Sequence, residues 1–323
     1  MRSTTILNIL ADGQFHSGAH LGETLGLSRT AVWKQVNKLE RELQLRIHSV
    51  RGKGYRLSTP LELLSEPAIR ELMTPVAVER FPVVDIELKT ESTNQLAKAR
   101  GGGAYPYVCL AEMQSAGRGR RGRDWVSPFG KNIYMSLCWT FEEGVGVQQG
   151  LSLCVGIALA RVARRLGLVE AGLKWPNDLL HRNHKLAGIL LEAVGELAGA
   201  MTVIIGIGIN VDMDPQEGAD IGQRWTAFNR EGGARVNRNV LAAGILNELG
   251  VVLPAFQQSG FGGFRQEWQD YDVLFDKKVA LTGISNEVEG TARGVSPTGA
   301  LIIETGAGRS YHEAGEVSVR ERS

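Results

Sequence analysis

Apolar positions along the chain change their spacing twice, and each change marks a different architecture. In the first sixty residues they recur at helical spacing: Ile6, Leu7, Ile9 and Leu10, then Leu21 and Leu25, then Val32, Val36, Leu39 and Leu43. Each run is punctuated. Asp12-Gly13 stops the first, Ser17 and Gly26 bracket the second, and Ser28 caps the third. Turning Val32, Val36, Leu39 and Leu43 inward leaves Arg29, Thr30, Lys34 and Lys38 on the outer face. Trp33 shares that face, and either meets a partner or packs beneath the strands that follow. Two short β-like runs, Leu45 to Val50 and Tyr55 to Leu57, are joined by the turn Arg51-Gly52-Lys53-Gly54. Helix, glycine turn, helix and cationic hairpin predict a winged helix-turn-helix over residues 1–62. Ser28, Arg29, Thr30, Lys34 and Lys38 would face DNA from the second helix, with Arg51 and Lys53 at the wing tip. The alternative is a small helical domain that contacts only protein.

After a linker that begins at Thr59-Pro60, the spacing shortens to alternation. Val83 to Leu88, Tyr107 to Ala111, Asn132 to Trp139, Lys185 to Glu192 and Met201 to Ile205 read as strands. Ser92-Thr93-Asn94 caps a short helix that runs to about Arg100, and Gly150 to Leu166 and Val240 to Phe256 are apolar helices. Leu173 to Leu180 reads as one strand interrupted by Pro176, and so at an edge or a bend. The order β-α-β-loop-β-α-β-β-β-α predicts a mixed-sheet α+β sandwich over residues 63–272, not a doubly wound sheet. From Lys277 the strands become short: Val279 to Leu281, Val288 to Val295, Ala300 to Ile303 and Glu316 to Val319. With the turn Ser296-Pro297-Thr298-Gly299 they predict an SH3-like β-barrel over residues 273–323.

Composition narrows the class. The chain has 323 residues, 43% of them hydrophobic, and a formal charge of +1, which fits a soluble globular protein. No stretch reads as the run of about 20 apolar residues that crosses a membrane. The N-terminus does not read as a signal peptide, and the three cysteines, Cys109, Cys138 and Cys154, fall in apolar runs. Buried thiols in a reducing cytoplasm are the expectation. Charge is uneven: residues 1–60 hold nine Lys/Arg against four acids, which points that end toward a polyanion.

The strongest chemical signal is Gly117-Arg118-Gly119-Arg120-Arg121-Gly122-Arg123, followed by Asp124-Trp125. Three glycines and four arginines leave nothing to bury, so the segment is a loop with a mobile middle, held by a strand at each end. Glycine lets backbone N–H groups approach an anion, and guanidinium forks grip phosphate or carboxylate in pairs. A disordered Arg/Gly segment that binds RNA is the alternative, but the motif occurs once, inside a globular pattern. Lys174 and Lys185 flank a hairpin that also holds Asn177 and Asp178. Lysine there can place a point charge on an oxyanion, and Asp178 can hold Mg²⁺ or polarise an amine. Each is otherwise a charge at a strand end. Gly206-x-Gly208 lacks the third glycine of a dinucleotide fingerprint, and no P-loop sequence occurs. His181 and His184 lack the further ligands of a zinc site.

Three segments together resemble the biotin protein ligases: the arginine loop, Lys174-Trp175-Pro176-Asn177-Asp178, and Lys185-Leu186-Ala187-Gly188-Ile189-Leu190. With the winged helix in front, the resemblance is to the bifunctional type that also represses biotin genes. It implies a central domain like that of class II synthetases, and ATP and Mg²⁺ as cofactors with biotin as substrate. It further implies a biotin carboxyl carrier protein and operator DNA as partners, and a homodimer once biotinyl-5′-AMP is bound. Ser92, Thr93, Asn94 and Gln114 would bind biotin, with Arg118, Arg120, Lys185 and Gly188 around it. Arg120, Arg121, Arg123 and Trp125 would cover the adenylate, with Asn177 and Lys185 at its phosphates and Asn210 and Trp225 on the adenine side. Lys185, Arg120 and Asp178 would be catalytic, Asp178 also holding Mg²⁺.

Overall fold

The computed structural model describes residues 2–101, 106–142, 150–194, 200–231, 233–283, 287–315 and 318–321. At the N-terminus, α1 (Arg2–Leu10), α2 (Gly18–Leu25) and α3 (Arg29–Glu42) precede a hairpin of β1 (Ile47–Val50) and β2 (Gly54–Leu57). Side chains satisfy the orphan N–H groups of the first helical turns: Ser17 accepts from His20, and Ser28 accepts from Ala31. Gly26 ends α2 in the left-handed region at φ 63°. Leu7, Leu10, Leu21, Val32, Val36 and Leu39 are buried together, so the helical spacing is the core. Trp33 is 53% exposed and does not pack beneath the wing.

Short helices α4 (Glu66–Leu72) and α5 (Pro75–Arg80) lead into the central domain. There follow β3 (Val83–Glu87), α6 (Thr93–Arg100), β4 (Tyr107–Ala111), β5 (Ile133–Phe141) and α7 (Leu151–Arg165). Next come β6 (Ala171–Lys174), β7 (Asp178–His181), β8 (His184–Val194), β9 (Met201–Ile209), α8 (Arg238–Ser259) and α9 (Arg265–Tyr271). The sheet has the order β3-β4-β5-β9-β8-β7-β6. Only the β3–β4 pair is parallel, which makes the sheet mixed as its sequence order predicts.

Alternation sorts the two faces. Val203, Ile205, Ile207 and Ile209 of β9 join Met135, Leu137, Ile157 and Leu246 in the core shared with α7 and α8. The intervening Gly206 and Gly208 lie on the other face, because strand side chains alternate. The strand expected to stop at Ile205 therefore continues through its glycines. A second correction concerns residues 173–180, which form two strands. Leu173 pairs with Leu179 and Lys174 with Asp178, and Pro176 sits in the turn after a cis Trp175–Pro176 bond. Proline has no N–H for a ladder, so the turn is where it costs least. Ser92 starts α6, but its side chain makes no capping hydrogen bond.

Helix α8 corrects the membrane expectation. Its 22 residues, with a mean hydropathy of 1.5, are long and apolar enough for a span. Leu241, Ile245, Leu246, Leu249 and Leu253 are buried, however, and the helix packs on α4, α5 and α7 as a core element. All three cysteines are buried, and none is in a disulfide. Burial pushes the Cys109 thiol up to about 12 and raises Cys154 further.

The C-terminal module comprises β10 (Lys278–Thr282), β11 (Val288–Val295), β12 (Leu301–Thr305), β13 (Gly308–His312) and β14 (Ser318–Glu321). It is an antiparallel sheet in the order β13-β12-β11-β10-β14. β13 has no counterpart in the sequence reading; of the strand expected from Glu316 to Val319, residues 318 and 319 lie in β14, and residues 316 and 317 lie outside the described residues.

Three consecutive residues tie the domains together. Glu112 is 1% exposed and its Oε2 lies 2.8 Å from Nη1 of Arg238, itself 3% exposed. The same carboxylate accepts from Leu64 N–H at 2.5 Å, while Arg238 donates to the Glu62 carbonyl. The linker is thus clamped to the catalytic domain. Met113 and Phe129 complete the apolar core of the winged helix. Gln114 turns into the cleft on the glycine face.

Candidate functional site

A cleft of about 1070 Å³ opens on the glycine face of the sheet. It is lined by segments the sequence reading had singled out: Ser92 to Asn94, Gln114, the stretch from Arg118 to Val126, Lys174 to Asp178, and Lys185 with Gly188. Three further segments line it that the reading did not assign to the site. They are Gly206 to Gly208, dismissed there as a dinucleotide fingerprint, Asp220 to Gln223, and Val319 with Arg320, supplied by β14 of the C-terminal module. Arg320 lies in a charged tail, Val319-Arg320-Glu321-Arg322, that carries no motif. Only the tertiary fold brings it to the cleft.

The arginine loop is more ordered than its composition suggests. Gly119 N–H donates to Arg123 O at 2.7 Å and Trp125 N–H to Gly117 O at 2.9 Å, closing the segment on itself. A 3₁₀ turn spans Arg120–Gly122 with Arg121 at φ 59°. Arg118, Arg121 and Arg123 remain exposed. Arg120 points inward and donates from Nη1 to Asn177 Oδ1 at 3.2 Å. Its Nη2 donates to Gly315 O at 2.5 Å and also to Ala314 O, so the loop is tied to the C-terminal module. Burial of this guanidinium pulls its pKa below the ordinary arginine value.

Two glycines shape the floor. A Cβ at Gly208 would stand 2.4 Å from the Trp125 ring, and one at Gly188 would stand 3.0 Å from it. Without them the indole could not lie against these strands. Lys185 Nζ is 5.4 Å from the centroid of that ring, within cation–π range. The indole N–H has no hydrogen-bond partner among the described residues.

The hairpin turn brings the charges together. Lys185 Nζ lies 2.8 Å from Asp178 Oδ1, a charge contact and not a directed hydrogen bond. Lys174 stands beside both. Burial lowers its pKa, partly offset by the nearby Asp178 carboxylate and reinforced by Lys185. Asn177 is fixed by its Nδ2–H to Ile189 O at 2.8 Å, and Trp175 donates from Nε1 to Gly299 O at 3.0 Å. The turn is therefore braced by the C-terminal module as well as by β8. Asp178 is a single carboxylate, and no cluster of three or more His, Cys, Asp or Glu occurs among the described residues. That donor set suits Mg²⁺, which keeps waters and takes one or two carboxylates plus phosphate oxygens.

Three of the expected site residues stand in other roles. Asn94 borders the cleft, but both ends of its amide are engaged within the protein, to Ser136 and to Glu192. Asn210 is 3% exposed and donates to Thr226 O at 3.0 Å; it does not line the cleft. Trp225 donates to Gly218 O at 3.2 Å with Arg230 4.7 Å from its ring centroid, and it too lies outside the lining. Trp225 belongs to a strap that pairs with Lys185 on each side, through Lys185 N–H to Arg224 O and Thr226 N–H to Lys185 O, and Asn210, at the end of β9, is hydrogen-bonded to that strap. On the N-terminal domain Ser28, Arg29, Thr30, Lys34, Lys38, Arg51 and Lys53 are all exposed, the basic ones on α3 and at the wing turn.

Comparison with known proteins agrees with this architecture. Residues 89–210 match the biotin/lipoate A/B protein ligase family, residues 2–56 an HTH domain, and residues 275–320 the biotin protein ligase C-terminal domain. The chain is 40% identical over 98% of its length to the bifunctional ligase/repressor BirA of Salmonella typhimurium, covering 97% of that protein. Against BirA of Escherichia coli it is 39% identical over 98% of its length, covering 96% of that protein. A biotin protein ligase from Aquifex aeolicus, solved in complex with biotin and ATP, superposes with a TM-score of 0.65 at 26% identity. That match covers 74% of this chain and 99% of the Aquifex chain. The sequence matches run over nearly the whole length, and the chain belongs to the biotin protein ligases, in the bifunctional ligase/repressor group that carries a DNA-binding domain.

Proposed function

We propose that the cleft joins biotin to ATP to form biotinyl-5′-AMP and then passes the biotinyl group to a lysine of a biotin carboxyl carrier protein. The observation that carries this is the split polarity of one cleft. One end offers the neutral hydrogen-bonding groups of Thr93 and Gln114, and the other gathers Lys174, Lys185, Arg120 and Arg320. A carboxylate oxygen attacks the α-phosphorus and the bond to pyrophosphate breaks; two anions must meet, so cations belong at their meeting point. Lys185 would hold the reacting carboxylate and phosphate oxygens, with Asp178 setting its position. Arg120 and Arg123 would cover the mixed anhydride and keep water from it. In the second step a lysine amine attacks the acyl carbon, AMP leaves, and the ammonium proton is lost. Mg²⁺, anchored at Asp178 and by triphosphate oxygens, would neutralise charge on the leaving pyrophosphate. The Aquifex complex with biotin and ATP supports both ligands.

Biotin-dependent ATP–pyrophosphate exchange by the purified protein tests this. Exchange that requires biotin is the expected outcome; exchange without biotin, or none at all, would overturn it. The exposed cations of α3 and the wing support binding to an operator of the biotin genes. The adenylate-bound form would do so as a homodimer, because the exposed arginines of the loop repel a second copy until phosphate neutralises them. Sedimentation of the protein with and without biotinyl-5′-AMP should show ligand-dependent self-association. Equal association in both states would remove the coupling.

A further inference from the structure

The strap that pairs with Lys185 is itself held by a buried group of three side chains. Glu231 follows the strap, beyond a 3₁₀ turn at Phe228–Arg230, and its side chain is 14% exposed. Its Oε1 accepts from the Thr226 hydroxyl, and its Oε2 lies 3.4 Å from Nε2 of His181 on β7. The His181 side chain is 4% exposed, and its Nδ1 has no hydrogen-bond partner among the described residues. Arg182 adds a longer contact to the same Oε2, 3.9 Å from Nη1 of a side chain that stands in solvent. A carboxylate this buried needs partners, and here they come from two different elements. Glu231 therefore ties the strap to β7.

What the tie supports follows from the strap's other contacts. Thr226 donates its N–H to Lys185 O at 2.9 Å, and Arg224 O accepts from Lys185 N–H at 3.0 Å. Between them the Trp225 ring packs on Gly218, where a Cβ would stand 2.1 Å from it, and its Nε1–H reaches Gly218 O. Gly218 begins the turns that lead into Asp220 to Gln223, a wall of the cleft. Hydrogen bonds inside that stretch are local: Ile221 N–H to Gly218 O at 3.1 Å and Gln223 N–H to Ile221 O at 2.8 Å. Local bonds shape a loop without fixing where it stands against the sheet, and the strap supplies that fix. Lys185 marks the cationic end of the cleft, so this wall borders the end where the triphosphate is placed, while Thr93 and Gln114 stand at the other. We infer that Glu231, with His181 and Thr226, is a positioning residue for the nucleotide: lying outside the cleft lining, it holds the strap and through it the wall from Asp220 to Gln223. This rests on the reading that ATP is bound at the cationic end. A cluster that only stabilised the fold would loosen both ends of the cleft alike.

Biotin-dependent ATP–pyrophosphate exchange by the full chain, with ATP and biotin varied in turn, tests it. In Glu231→Leu the KM for ATP should rise about tenfold, while the KM for biotin stays within about twofold. The kcat should fall by no more than about threefold, since Lys185 keeps its β7 pairing with Leu180. Glu231→Gln should return the KM for ATP to within about twofold of the wild type, because its amide can meet both the Thr226 hydroxyl and the His181 ring, each of which can donate or accept. Thr226→Val removes only a hydroxyl and should raise the KM for ATP about threefold; it carries the test if Glu231→Leu does not fold. An unchanged KM for ATP in these variants, equal rises for both substrates, or no recovery in Glu231→Gln overturns the inference while leaving the ligase reading in place. A wild type with no biotin-dependent exchange removes that reading and this inference with it.

Discussion

The winged helix and the cleft both present cations to a polyanion, but they hold them in opposite surroundings. On α3 and the wing, Arg29, Lys34, Lys38, Arg51 and Lys53 stand in solvent on elements whose other faces are apolar. Their number and spacing matter there, and no one of them is fixed by a partner of high consequence. In the cleft Lys174 and Arg120 are partly desolvated, and burial lowers the pKa of each. Both share one nearby carboxylate, Asp178. The first arrangement suits adjustable contact with a phosphate backbone; the second suits chemistry at a fixed point.

Substitution should separate the two. Lys185→Ala removes the cation nearest Asp178 and should lower biotin-dependent pyrophosphate exchange about a hundredfold to a thousandfold. Affinity of the winged helix for DNA without ligand should not change; if exchange stays near the wild-type rate, Lys185 has no part in the reaction. Glu112→Gln strikes the seam between the regions. It leaves Arg238, 3% exposed, without its counter-charge and should destabilise the protein by about 3 kcal/mol in urea unfolding. A loss under about 1 kcal/mol would mean that the clamp is not what joins them.

At the seam with the C-terminal module, Asp272 gives a pH signature. Burial raises its carboxyl pKa to about 6, well above the ordinary aspartate value. A raised acid pKa means that the folded state binds the proton more tightly than the unfolded state. Stability therefore falls as pH rises through that window and stays lower above it. Asp272→Asn should gain about 1–2 kcal/mol at pH 8 and nothing at pH 4. Equal unfolding midpoints at pH 8 would show that the carboxylate is accommodated without penalty. The smallest effect belongs to the wing: Lys53→Ala should reduce the slope of log affinity for DNA against log salt by about 0.9, with little change in sequence preference. An unchanged slope would place the wing tip off the backbone.

How legible each region was in the sequence follows from the range of its interactions. Ser17, Ser28 and Gly26 act within three or four residues of themselves, so the winged helix could be read from caps and spacing. Arg118, Lys174, Asp178 and Lys185 were visible because glycines and charges interrupt an apolar pattern. Arg320 was not, since a β14 residue reaches the cleft only through the packing of a separate sheet. Ser136 carries no motif as one polar position in an apolar strand, and Asn94 was expected as a ligand contact. Only the fold shows that one orients the other. β13 escaped because Gly308-Arg309-Ser310-Tyr311-His312 has no apolar face, as an edge strand need not. Pro176 was read as interrupting a strand where it makes the turn between two.

The succession Glu112, Met113, Gln114 sets a limit on how the protein can be cut. Removing residues 1–62 would leave a catalytic domain whose surface includes Met113 and Phe129, 6% and 4% exposed in the whole chain, newly open to water. It would also take away the Glu62 carbonyl and Glu62 carboxylate that Arg238 contacts through its side chain and its backbone N–H. The segment carrying Gln114 into the cleft would lose the packing on Met113, the residue just before it. A ligase trimmed of its DNA-reading domain is therefore a different molecule at its substrate site, and the boundary at residue 62 divides the chain without dividing the protein.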